Sequence, residues 1–310
     1  MSAAPQAPAD AMPHSWVDSV PAAVQPYLRL MRLDRPIGTW LLFWPCVFGL
    51  ALGARITGHG FDSWRDAQLT GLFALGSVVM RGAGCTYNDI VDRDIDAKVT
   101  RTRGRPIPSG AVSVKSAAVF LAAQCALGLA ILLQLNRFSI VLGAASLILI
   151  AIYPFMKRIT WWPQAWLGLT FNWGALLGFS AEAGHIAMPA CFLYAGCFFW
   201  TLGYDTIYAL QDVEDDALIG VKSTARLFGD SAGTWVAIFY AASYALILTA
   251  GLLAGLDWPF VVLLLAAGAH LAWQARRLRN DPALCLKLFR ANRDTGLLVA
   301  TALVLASYIA

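Results

Sequence analysis

Residues 87–96 read Y-N-D-I-V-D-R-D-I-D, Tyr87 to Asp96, directly after a long apolar stretch. They carry Asn88, Asp89, Asp92, Asp94 and Asp96. At about 100° per residue, Asn88, Asp92, Asp96 and Asp89 fall near 0°, 40°, 80° and 100° around an α-helix. One amide and three carboxylates therefore share a quadrant. Two carboxylates roughly 6 Å apart repel by about 2 to 3 kcal/mol at an effective dielectric near 20. A hard divalent cation removes that cost, because Mg²⁺ takes carboxylate oxygens, keeps some waters and accepts phosphate oxygens.

A second acidic run supports the first. On a continuous helix, Asp205, Tyr208 and Asp216 lie at about 20°, −40° and 40° from Asp212. They share a face, with Asp215 at its border and Glu214 pointing away. A single such run reads most simply as a solvated acidic loop. Two one-faced runs, each closing an apolar helix, point to metal binding.

The chain of 310 residues is 58% hydrophobic and 14% charged, with a mean hydropathy of +0.60. This composition belongs to an all-α, polytopic membrane protein. Nine apolar stretches are expected to cross the bilayer: 36–54, 67–80, 116–136, 138–156, 159–181, 183–204, 231–256, 258–275 and 295–310. Most approach the roughly 20 residues that a hydrocarbon core demands. With the N-terminus cytoplasmic, all of the 23 Lys and Arg residues except Arg55, Arg65 and Arg137 fall on the inner side, as the positive-inside rule requires. Both acidic runs then face the cytoplasm, and a bacterial inner (cytoplasmic) membrane is the expected location. The net charge of +4 reflects this inner bias, so nucleic acid is not expected as a partner.

Six scattered cysteines without C-x-x-C spacing indicate neither a disulfide framework nor a zinc site. The four histidines are dispersed, and none is expected to be a ligand. Residues 1–35 form an N-terminal segment, read as cytoplasmic, and 36–310 the membrane domain. Its first twenty residues, rich in Ala and Pro without Lys or Arg, suggest neither a mitochondrial transit peptide nor a signal peptide. Pro21 to Leu33 reads as an interfacial helix.

R-L-D-R-P-I-G-T, Arg32 to Thr39, opens the first span, with Pro36 suited to a helix start. Arg32, Asp34 and Arg35 suit either headgroup anchoring or the rim of a site. Arg81 lies seven residues before Asn88, about 20° off the same face and two turns deeper. A buried Arg there calls for an anionic partner, and a phosphate is favoured over the aspartates. The loop K-V-T-R-T-R-G-R-P-I-P-S-G, Lys98 to Gly110, stops the helix at Pro106, Pro108 and Gly110. It could cover a diphosphate or simply obey the charge rule. Y-P-F-M-K-R, Tyr153 to Arg158, ends the fourth span. Lys157 and Arg158 there are either anchors or a second anion site, where Arg offers a carboxylate a bidentate fork. Lys222, in G-V-K-S-T, is a further diphosphate candidate. The acidic runs follow spans two and six, a weak hint of two four-helix halves with a ninth helix appended.

With both runs read, the chain resembles the UbiA-type intramembrane prenyltransferases over roughly 32–310. The first family motif, N-D-x-x-D-x-x-x-D, is matched by Asn88, Asp89, Asp92 and Asp96, and the second, D-x-x-x-D, by Asp212 and Asp216. R-L-D-R-P-I-G-T, R-G-A-G-C-x-x-N-D, R-P-I-P-S-G, Y-P-F-M-K-R and G-V-K-S-T are similar to the branch that prenylates 4-hydroxybenzoate in ubiquinone synthesis. The resemblance implies nine transmembrane helices around a central cavity, with Mg²⁺ between the Asp motifs. It implies polyprenyl diphosphate and 4-hydroxybenzoate as substrates and the lipid bilayer as surroundings. Asn88, Asp89, Asp92, Asp96, Asp212 and Asp216 then become the Mg²⁺ set, direct or through water, with Asp92, Asp96, Asp212 and Asp216 catalytic. Arg81, Lys98 and Lys222 would contact the diphosphate, Arg158 the aromatic carboxylate, and Lys157 and Tyr208 would also bind substrate. Other acceptors on the same fold, or a cation transporter, are the rival readings. Against transport, the acids sit at helix ends among many Arg and Lys, which suits a polyanion.

Overall fold

In lipid a backbone must satisfy its own polar groups, so long apolar runs become helices. The computed structural model describes residues 15–97, 102–218 and 220–309, without the side chains of 215, 216 and 309. Its helices are α1 (Gln25–Leu30), α2 (Ile37–Ile56), α3 (Trp64–Asp96), α4 (Val114–Leu132), α5 (Arg137–Ile159), α6 (Pro163–Phe171) and α7 (Trp173–Ala183). They continue as α8 (Met188–Ala209), α9 (Val213–Leu218), α10 (Thr224–Phe228), α11 (Ala232–Leu253), α12 (Trp258–Arg277) and α13 (Pro282–Ile309). No strand occurs among the described residues. The all-α expectation holds.

Each of the nine apolar stretches coincides with helix, but among the described residues six helical segments are both long and apolar enough to cross a membrane: α2, α3, α4, α5, 224–253 and α12. The stretch 159–181 is broken at Asn172 into α6 and α7, of 9 and 11 residues. The α8 segment is long enough, but its Tyr, Trp, Gly and Asp residues dilute its hydropathy. The first half of α13 carries Lys287, Arg290, Arg293 and Asp294.

The chain divides into two compact units. The first comprises residues 1–39 and 75–133. Its core joins Leu30, Ile107, Val112 and Ala117, with Tyr27, Ile90 and Phe120 packed against them. Tyr27 and Phe120 meet edge to face at 5.1 Å. Burying this set clamps α1, the end of α3, the 102–113 turns and the start of α4 together. The expected interfacial helix is shorter than drawn: α1 ends at Leu30, and Arg32 follows with φ +58°.

The second unit comprises 40–74 and 134–310. Helix α8 is its hub, packing on α6, α7, α11 and α13. The approach to α11 is close because α8 presents glycines, a packing device of membrane helices. A Cβ on Gly203 would strike the Tyr240 ring, and one on Gly196 would lie 2.7 Å from Ile247. A buried polar network ties the remaining helices. Trp200 Nε1 donates to Asn292 Oδ1 at 2.7 Å, and Asn292 Nδ2 and the Tyr240 hydroxyl donate to Gln274 Oε1 at 2.9 and 3.0 Å.

Candidate functional site

In the first unit, the run from Asn88 to Asp96 forms the last turns of α3, so the helical register read from the sequence is realised. Asp89, Asp92 and Asp96 are buried and Asn88 is half-buried, whereas Arg93 and Asp94 face out. The Asp89 carboxylate is held by two arginines. Arg32 Nη2 donates to Oδ1 at 2.6 Å, and Arg105 Nη1 approaches the same oxygen at 3.3 Å. Arg105 also donates to Asp96 Oδ2 at 2.7 Å, bridging two acids. Burial disfavours the charged Arg32 guanidinium, yet the charges of Asp89 and Asp34 and the Asp89 hydrogen bond outweigh it and raise its pKa. The residue keeps a left-handed backbone that costs a non-glycine residue about 1 to 2 kcal/mol. That strained residue is buried and paired with the acidic face, not exposed as a headgroup anchor would be.

Two of these contributions escape sequence reading. Arg32 remained ambiguous and Arg105 was one of several loop cations, because pairing across 57 and 16 residues leaves no local periodicity. Arg81, expected to meet a phosphate, lies on the same helix, donating to Cys85 Sγ. It lies against Gly38, where a Cβ would collide with the guanidinium. Lys98 lies outside the described residues.

In the second unit, the acidic run departs from its expected register. Helix α8 ends at Ala209, and a 3₁₀ turn over Leu210–Asp212 precedes α9. A 3₁₀ segment turns about 120° per residue, so angles computed for one continuous α-helix do not carry past residue 209. Asp205, Tyr208 and Asp212 are half-buried, and Tyr208 packs on Phe289 with centroids 4.5 Å apart. The side chain of Asp216 lies outside the described set.

Lys222 meets the end of α5. Its backbone N–H donates to the Lys157 carbonyl at 3.0 Å, and its ammonium to the Ile159 carbonyl at 3.1 Å. A cation there complements the negative helix C-terminus. The loop is pinned further: Thr224 N–H donates to Gln164 Oε1 at 3.0 Å, and the Thr224 and Thr206 hydroxyls are 2.7 Å apart. Lys157, Arg158 and Lys222 are thereby gathered at one helix end, with Arg158 exposed.

The donor set can be tested against the expected cation. Asn88, Asp92 and Asp96 present hard oxygens from one helix face, and Asp89 Oδ2 is buried without a hydrogen bond. That set fits Mg²⁺, which prefers oxygen ligands.

The described residues are all-helical, with helices of membrane-spanning length, and α3 ends in an acidic face paired with the guanidinium groups of Arg32 and Arg105. Residues 42–306 match the UbiA prenyltransferase family, and the chain belongs to it. It is 50% identical over 293 residues to the mitochondrial 4-hydroxybenzoate polyprenyltransferase of Bos taurus, covering 94% of this chain and 78% of that one. The corresponding mitochondrial protein of Drosophila pseudoobscura is 48% identical, covering 97% of this chain and 75% of the relative. Among solved structures, the apo form of a UbiA homolog from Aeropyrum pernix K1 matches with a TM-score of 0.71 and 25% identity, over 86% and 97% of the two chains. A UbiA homolog from Archaeoglobus fulgidus bound to GPP and Mg²⁺ shares the fold, with a TM-score of 0.66 at 22% identity over 90% and 99% of the chains. The expected location is corrected by these relatives. They are mitochondrial enzymes of eukaryotes, which points against a bacterial inner membrane. Loop charge sorts segments by membrane side, and it does not identify the membrane.

Proposed function

We propose that the chain is a Mg²⁺-dependent aromatic prenyltransferase of ubiquinone biosynthesis. It moves a polyprenyl group from polyprenyl diphosphate to the ring carbon ortho to the hydroxyl of 4-hydroxybenzoate, releasing diphosphate. The observation that carries the reading is the face of α3 on which Asp89 is neutralised by Arg32 and Arg105 while Asn88, Asp92 and Asp96 supply oxygen donors. The names of the relatives supply the acceptor.

Asn88, Asp92 and Asp96 hold the ion in the first unit, with Asp89 orienting the face through its arginines, and Asp212 and Asp216 are the metal-binding pair of the second. When bound there, Mg²⁺ would supply positive charge against the departing diphosphate, which would help the allylic C–O bond to ionise. Arg81, Lys98 and Lys222 contact the diphosphate. Arg158 orients the benzoate carboxylate, with Lys157 and Tyr208 beside the substrates. The electron-rich ring carbon then attacks the allylic cation, and proton loss restores aromaticity. A lipid-embedded setting shields that cation from water. All nine apolar stretches, including the broken α6–α7 pair, are read as crossing the bilayer in the domain 36–310, with 1–35 as a preceding segment.

The test supplies membranes containing the protein with Mg²⁺, a polyprenyl diphosphate and ring-labelled 4-hydroxybenzoate. The expected result is a lipid-soluble labelled product, with one diphosphate released per product. Diphosphate release without labelled product, while another aromatic acceptor is prenylated, would replace the assigned acceptor.

A further inference from the structure

A separate set of ionisable side chains lies within the second unit. His59, Asp66 and Glu182 each offer one ligand atom, and the three atoms lie within 4.8 Å of one another. His59 stands in the turn between α2 and α3, Asp66 in the first turn of α3, and Glu182 in the last turn of α7. Helix α8 then runs 22 residues from near this point to the acidic run that begins at Asp205.

Both carboxylates are buried: Asp66 is 2% exposed and the Glu182 side chain 1%. One oxygen of each is engaged. Asp66 Oδ2 accepts from the backbone and hydroxyl of Ser63, both at 2.7 Å. Glu182 Oε2 lies 3.7 Å from Arg65 Nε, and Arg65 also donates to the Ala181 carbonyl at 3.1 Å. The other two oxygens, Asp66 Oδ1 and Glu182 Oε1, are buried with no donor group against them, so the two carboxyl groups have each other as neighbours. Two buried carboxylates facing one another repel, and Arg65 brings one positive charge for the pair. The imidazole supplies what a cation lacks. His59 Nδ1 lies 3.0 Å from the Gly60 carbonyl, which can only accept, so Nδ1 is the donor of that contact and Nε2 is the ring nitrogen left to serve as a ligand. A metal-ligating histidine is usually oriented by such a backbone contact.

We propose that His59, Asp66 and Glu182 form a second divalent-cation site, selective for a zinc-type ion. Zn²⁺ accepts one imidazole nitrogen and two carboxylate oxygens, with water completing a tetrahedral shell. Mg²⁺ prefers an all-oxygen set and is the poorer match. The ion fastens the α2–α3 turn to the end of α7 and so carries a stabilising role. This revises the expectation that no histidine is a ligand, and it stands independently of the prenyl-transfer reading.

The test titrates the purified full-length protein in detergent with Zn²⁺ against a chromophoric chelator. Asp92→Asn and Asp212→Asn are introduced as background, to silence the other acidic runs. One equivalent of zinc is expected, weakened at least tenfold by His59→Ala and by Glu182→Gln, and zinc should raise the melting midpoint of the His59-containing protein alone. In the otherwise wild-type chain, His59→Ala should leave prenyl transfer within about twofold. Absence of a stoichiometric site, or equal zinc uptake by His59→Ala, would overturn the proposal and leave an acid pair that shares a proton. His59 is exposed, so that variant decides the matter even if Glu182→Gln fails to fold.

Discussion

The two ends of α3 carry buried acids under opposite conditions. At its last turns, Asp89 is matched by Arg32 at 2.6 Å and Arg105 at 3.3 Å, and Asp96 by the same Arg105 at 2.7 Å. At its first turn, Asp66 has the Ser63 cap and a neighbouring carboxylate, and Glu182 meets Arg65 at the longer distance of 3.7 Å. A buried carboxylate is kept in place by whatever positive charge lies within reach. Where arginines already compensate charge, the acidic face needs no resident cation to be kept buried. Where they do not, a resident cation is the simplest compensation.

The largest expected effect falls on the acids proposed as metal ligands. Asp92→Ala or Asp212→Ala should each lower turnover by at least about three orders of magnitude, roughly 4 kcal/mol of transition-state stabilisation. If either variant, expressed normally, keeps more than about a tenth of wild-type turnover, that acid is not a ligand.

The arginine clamp is tested through stability. Arg32→Met should destabilise the protein by about 3 kcal/mol, because it strips one of two cations from a fully buried carboxylate. Adding Asp89→Asn should recover most of the loss. Measured as detergent-phase melting midpoints, a recovery of zero would show that Arg32 acts through packing instead.

A smaller effect separates the two substrates. Arg158→Ala should raise the apparent KM for 4-hydroxybenzoate at least tenfold, about 1.4 kcal/mol, and change that for prenyl diphosphate far less. Steady-state kinetics with each substrate varied in turn checks this. An equal effect on both would move Arg158 to the phosphate side.

The helical face of Asn88, Asp92 and Asp96 was legible because its register is local and helical periodicity repeats every 3.6 residues. The all-helical class was legible from apolar run length for the same reason. The continuation past Asp205 was not, since the 3₁₀ turn at Leu210–Asp212 is set by how α8 ends and not by any Gly or Pro in the run. The break at Asn172 was equally hidden. There a buried amide donates to the Gly168 carbonyl and the Thr201 hydroxyl, both at 2.7 Å, and the latter contact is tertiary. His59 read as a dispersed histidine because its neighbours Asp66 and Glu182 come together only through packing. Lys222 was legible as a cation near the site, but its seat on the α5 carbonyl was not.

The central claim is that the acidic faces act through a divalent cation, and a metal titration of prenyl transfer tests it most directly. Membranes stripped with a chelator are supplied with both substrates, and labelled product is followed as Mg²⁺ is restored. No product is expected in the chelator, with recovery on adding Mg²⁺ and none at the same concentrations for Asp92→Asn. Full turnover in excess chelator, or an unchanged Mg²⁺ requirement in an active Asp92→Asn enzyme, would contradict it.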